Sequence, residues 1–151
     1  MKRIIDLLLS IVVFMLLVTF ILLVAIAVRL SSKGSVLYWS DRIGKDNKTF
    51  KMPKFRSMLL GTPIVATNLL DNPDDYLSPI GGFLRTFSLD ELPQLYSVFR
   101  GDMSFVGPRP ALFNQVDLIA LRKEKGIDKL LPGITGWAQV NGRDELSIPD
   151  K

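Results

Sequence analysis

The sequence predicts an α+β fold, predominantly helical. An N-terminal membrane-inserted helix, re-entrant or spanning, precedes a small domain with a short β-hairpin. Three observations carry that expectation. Residues 7–28 form an apolar run with only two polar side chains, Ser10 and Thr19. Residues 36–39 and 49–52, rich in aromatic and β-branched side chains, flank the turn-forming stretch Gly44-Lys45-Asp46-Asn47. Helical periodicity returns at 89–99 and 111–125. A length of 151 residues allows one globular domain, so the chain divides into an anchor, 1–30, and a domain, 31–151.

At 1.5 Å per residue the apolar run makes a helix of roughly 33 Å, enough to cross a bilayer. No proline or glycine interrupts it, which suits a single span. Basic residues flank both ends, Lys2 and Arg3 before it and Arg29 and Lys33 after it. A segment that enters and leaves on one face would satisfy both flanks, so both topologies stay open. Lys2-Arg3 and Ala25-Ile26-Ala27 also resemble the ends of a signal peptide, although the run exceeds a usual apolar region of that kind. Asp6 lies within helical reach of Lys2 and Arg3 and is expected to be neutralised by them.

Eight basic residues, from Arg29 through Lys54 and Arg56, face only Asp41 and Asp46 across 29–58. Such a cluster beside a membrane segment attracts anionic headgroups or a phosphorylated substrate. A hairpin of 36–39 and 49–52 would bring Lys54 and Arg56 to the membrane exit. Residues 61–82 carry Pro63, Pro73 and Pro79, with acidic Asp71, Asp74 and Asp75, and read as loop with at most one helical turn. The helices 89–99 and 111–125 are separated by the non-helical run 100–110. Residues 131–143 read as glycine-punctuated loop. Long irregular segments between helices usually carry function.

The chain has no cysteine and no histidine. Ser-His-Asp and Cys-His triads, His/Cys zinc sites and disulfides are thereby excluded. Chemistry falls to carboxylates, Lys/Arg, hydroxyls and an oxygen-ligated metal. The densest constellation is Arg85-Thr-Phe-Ser-Leu-Asp-Glu-Leu-Pro93. Ser88-x-x-Glu91 has capping-box spacing, in which Asp90 and Glu91 only complement a helix dipole. The competing reading is chemical: a carboxylate kept ionised by the dipole and by Arg85 suits a nucleophile or metal ligand. Adjacent carboxylates on a helix diverge, so the two would take different roles. Amides at the same helix start, with Arg85, would hold a phosphate. Pro93 lacks the amide an α-helix would need there, and such local conflicts mark functional sites. Gly107-Pro108-Arg109-Pro110 stiffens an arginine for phosphate recognition. Trp39 and Trp137 suit base stacking, interfacial anchoring or core packing equally.

Five segments taken in order resemble the bacterial sugar transferase family, the small monotopic phosphoglycosyl transferases. They are Lys2-Arg3-x-x-Asp6, Lys54-Phe-Arg-Ser-Met58, Ser88-Leu-Asp-Glu-Leu-Pro-Gln-Leu95, Gly101-Asp-Met-Ser-Phe-Val-Gly-Pro-Arg-Pro110 and Pro132-Gly-Ile-Thr-Gly-Trp-Ala-Gln-Val-Asn-Gly-Arg143. The resemblance implies transfer of a sugar-1-phosphate from a UDP-sugar to polyprenyl (undecaprenyl) phosphate, releasing UMP, at the start of surface-glycan assembly. It implies an Asp-Glu dyad, Asp90-Glu91, with Mg2+ held by Asp90 and a covalent phosphosugar formed on Asp90. Lys54, Arg85, Arg109 and Arg143 match the family's phosphate-handling residues. A bacterial cytoplasmic membrane location, a cytosolic catalytic domain, membrane-lipid contacts and downstream glycosyltransferases as partners are implied, and no nucleic acid. Two departures accompany it. Val18-Thr19-Phe20 stands near the family's usual Ser-Pro break, and the chain is expected to be short at its C-terminal end. A catalytically inactive membrane adaptor using the same basic surface is the alternative from another class, and a secreted basic protein is a third.

Overall fold

A computed structural model of the chain describes residues 1–65 and 70–141. The fold is α+β with a long apolar N-terminal helix, as the sequence predicts. That helix, α1, runs unbroken from Lys2–Ser31 and is long and apolar enough to cross a membrane. Its two ends are bonded to the same body. At the start, Lys2 Nζ donates to the Val106 carbonyl at 2.8 Å and Arg3 donates to the Val98 and Phe99 carbonyls. At the far end Val24 and Val28 pack with Phe55 and Leu84, and Arg56 donates to the carbonyl and hydroxyl of Ser32. Both ends of α1 are thus held by one body. Between those ends Leu8, Met15, Leu16 and Leu23 are exposed.

Asp6 departs from expectation. Instead of pairing with Lys2 and Arg3 it turns inward and accepts from Ser104 Oγ at 2.9 Å and the Phe105 amide at 3.3 Å. Buried at the foot of α1, it satisfies two donors that no helix or strand ladder serves. The neighbouring cations are thereby freed to hold backbone carbonyls.

The hairpin is longer than the two sequence segments suggest. Strands β1 (Leu37–Ile43) and β2 (Thr49–Phe55) pair antiparallel in a register from Leu37↔Phe55 to Ile43↔Thr49. A 3-10 turn over Lys45–Asn47 joins them, with Asp46 and Asn47 at positive φ, a conformation these two residue types tolerate.

Helix α2 (Gly81–Thr86) lies where the sequence reads as loop up to residue 82. Its paired glycines are poor helix formers, but Gly81 is required by contact: a Cβ there would lie 2.0 Å from the Ser57 carbonyl oxygen. The expected helix 89–99 divides into a 3-10 turn, Leu89–Gln94, and α3 (Leu95–Arg100). Strand β3 (Ser104–Val106) follows. The helix expected from residue 111 begins five residues later, as α4 (Val116–Glu124). Ala111–Leu112 instead form β4 on the free edge of β1, giving the sheet order β2-β1-β4.

Part of the glycine-punctuated stretch is ordered too. Gly133–Thr135 make β5, parallel to β3, and Trp137–Val140 make the short helix α5. Close approach explains the glycines: a Cβ on Gly133 would stand 2.1 Å from the Gly107 amide nitrogen. Gly133→Ala is therefore expected to force the β3–β5 pair apart and cost about 1–3 kcal/mol, as overpacking does. A chemical-denaturation curve with an unchanged midpoint would contradict that packing.

Candidate active site

The 3-10 turn 89–94 explains the conflict at Pro93. Three residues per turn and i→i+3 bonding let the chain start a fresh α-helix at Leu95 without an amide at 93. Ser88 is left-handed, with φ 55°, and makes no side-chain capping bond, so the capping box does not form. An N-cap needs extended backbone to aim its hydroxyl at the following amides. The turn is too short to develop much dipole, which removes the helix-start argument for anion binding as well. Support for charge comes from side chains.

Those side chains converge from four elements. Lys54, on β2, donates to Glu91 Oε1 at 2.9 Å and lies 3.8 Å from Asp90 Oδ2. Arg109 approaches Glu91 Oε1 at 3.8 Å from the proline-bracketed loop. Arg85, on α2, donates to the Met58 sulfur at 3.6 Å and acts electrostatically on Asp90. Adjacent carboxylates were expected to diverge. Here both reach one ammonium, that of Lys54. The loop bearing Arg109 is held by two further arginines: Arg122 donates to the Arg109 carbonyl at 2.7 Å and Arg42 to the Pro110 carbonyl at 3.2 Å.

Asp90 is 8% exposed, and its carboxyl titrates above the usual carboxylate range. Burial is the main cause, opposed by Lys54; Glu91 adds to the rise and Arg85 opposes it. Arg85 favours the charged form as expected, whereas the dipole contributes little and burial acts against the cations. Desolvation outweighs the neighbouring cations, leaving a poorly solvated carboxylate beside a lysine, a reactive arrangement.

These groups line one cavity of about 360 Å3, open at the surface. Of the site residues expected from the sequence, Lys54, Arg85, Asp90, Glu91 and Arg109 all lie on it. Arg143 lies outside the described residues. Tyr38, Ser40 and Arg42 also line the cavity and were missed as site residues. Their signal was the period-two spacing on β1, which puts all three on one face. Trp39, between them, points away and meets Tyr96 edge-on at 6.2 Å, while Trp137 is exposed.

Among the described residues no three acidic, histidine or cysteine groups form a metal cluster. Two carboxylates that already share one cation nonetheless fit Mg2+, which commonly takes one or two carboxylates and completes its shell with water and substrate phosphate.

The family model for bacterial sugar transferases matches residues 1–151. The chain is 40% identical to an undecaprenyl-phosphate glucose phosphotransferase of Komagataeibacter xylinus, over 99% of this chain and 29% of that protein. It is 41% identical to the UDP-glucose:undecaprenyl-phosphate glucose-1-phosphate transferase of Escherichia coli K12, over 100% of this chain and 33% of that protein. With the exopolysaccharide production protein ExoY of Sinorhizobium fredii the identity is 36%, over 97% and 71%. The chain thus spans about a third of the first two relatives and most of the third.

Proposed function

The chain belongs to the bacterial sugar transferase family, and on that footing we propose that it is a phosphoglycosyl transferase. It moves a sugar-1-phosphate from a UDP-sugar to polyprenyl phosphate at the bacterial cytoplasmic membrane, with its domain on the cytoplasmic side. The carrying observation is the buried Asp90, joined by Glu91 on Lys54 and facing a cavity rimmed by Arg85 and Arg109.

The chemistry follows from that arrangement. An Asp90 carboxylate oxygen attacks the phosphorus that carries the sugar. The bond from that phosphorus to the oxygen bridging the two phosphates breaks, and UMP departs with the electron pair. A phosphate oxygen of the acceptor then attacks the same phosphorus and the Asp90 carboxylate leaves, giving the polyprenyl-diphospho-sugar. Lys54 holds Asp90 and Glu91 in place before the donor binds. Arg85 and Arg109 absorb the charge that spreads over the transferring phosphoryl oxygens. Poor solvation of Asp90 raises the energy of its ionised form and so its nucleophilicity. Asp90 would hold Mg2+, which would supply neutralisation of charge on the leaving group.

Membranes carrying the chain, given a labelled UDP-sugar and undecaprenyl phosphate, are expected to yield lipid-linked label and UMP. The same incubation with EDTA should yield neither, and an undiminished rate there would remove the metal from the reading. An inactive adaptor would bind lipid phosphate yet release no UMP from any donor.

A further inference from the structure

A second cavity, of about 700 Å3, runs under α1 on the far side of the wall that carries the carboxylates. Ile11, Phe14 and Ala25 of α1 form one side; Leu37, Phe55 and Leu92 form part of the other. The one serine on its lining, Ser10, spends its hydroxyl on the Leu7 carbonyl at 2.8 Å. A polar ligand would find almost no partner there, whereas an apolar space of this size suits hydrocarbon.

The neighbouring charged cavity decides which hydrocarbon. Phe55 lines both spaces, and Leu92 and Pro93 of the apolar one directly follow Asp90 and Glu91 of the other in the same 3-10 turn. A chain lying under α1 would therefore pass within one turn of the residues that carry the carboxylates. We propose that this groove holds the isoprenoid chain of the acceptor and so selects the acceptor by chain length. The proposal rests on the phosphoglycosyl transferase reading and adds to it the place where the lipid is recognised.

The test compares a long polyprenyl phosphate with a short isoprenyl phosphate as acceptors in the same detergent micelles. The unaltered chain is expected to favour the long acceptor by about tenfold or more in kcat/KM, because each methylene buried contributes. Ala25→Phe fills the groove from α1. Ile11→Trp does so from a partly exposed position that tolerates a larger side chain. Both are expected to raise KM for the long acceptor and erase the preference, with UMP release from donor alone unchanged. Because Ala25 packs against the Val24, Val28, Phe55 and Leu84 cluster, Ala25→Phe is read only where its circular dichroism matches the unaltered chain. The more exposed Ile11→Trp is expected to melt as the unaltered chain does.

Preference retained in both folded variants overturns the groove assignment. So does an equal loss for long and short acceptors, which would mark the space as filled by bilayer acyl chains or as purely structural. Absence of UMP release from the unaltered chain would instead bring down the transferase reading on which the proposal stands.

Discussion

Asp90→Asn is expected to abolish sugar-phosphate transfer, by about 10^3-fold or more, while raising the melting temperature. The two halves have one cause. In the folded chain burial lifts the Asp90 pKa above its ordinary value, so the folded state binds that proton more tightly than the unfolded one. A group of this kind stabilises the fold below its unfolded pKa, and the contribution is lost as pH rises through the folded value. At neutral pH the ionised carboxylate is a strain on the fold, and neutral asparagine removes it. Glu91 remains to pair with Lys54 at 2.9 Å, so the lysine is not orphaned. Thermal melts of the two proteins should differ clearly at pH 7 and converge on acidification below the ordinary aspartate range. A variant that melts lower, or that turns over normally, contradicts this account of the site.

Lys54→Met is expected to lower kcat on the order of 10^2-fold and to shift the acid limb of the pH–rate profile upward. Lys54 is the largest influence holding the Asp90 pKa down, and its removal leaves desolvation and Glu91 to act against Arg85 alone. The ionised fraction of Asp90 at a given pH then falls, and activity requires a higher pH to recover. Lys54 is also the cation that Asp90 and Glu91 share, so its loss leaves two carboxylates repelling one another in a poorly solvated site. A profile unchanged in shape, merely scaled down, would mean that Lys54 holds substrate without tuning Asp90.

Much of this site was legible in the chain before the fold was. Lys54, Asp90, Glu91 and Arg109 stand in ordered segments whose chemistry is unusual, Arg85 stands just ahead of one of them, and all five meet in one cavity. Their environment was not legible. Local spacing puts Ser88 at an N-cap and Asp90 on a helix dipole, but Pro93 imposes a 3-10 turn, and packing against β2 then desolvates the carboxylate. The cavity wall from β1 was missed because Tyr38, Ser40 and Arg42 differ in chemistry and share only an alternation, which many strands have. Asp6 was misassigned for a related reason. Its helical neighbours Lys2 and Arg3 are visible in the sequence, whereas Ser104 and Phe105 lie almost a hundred residues away and only the fold brings them near. The apolar run says nothing of what its ends touch, and again only long-range contacts fix both ends of α1 to one body.

The central claim is that Asp90 becomes bonded to the sugar phosphate. Intact-mass analysis of the chain after incubation with a UDP-sugar, without lipid acceptor, tests it most directly. The expected result is a mass increase of one phosphosugar, mapped to the peptide holding Asp90, with matching release of UMP and discharge on adding polyprenyl phosphate. UMP released only when the acceptor is present, from a protein of unaltered mass, would contradict it.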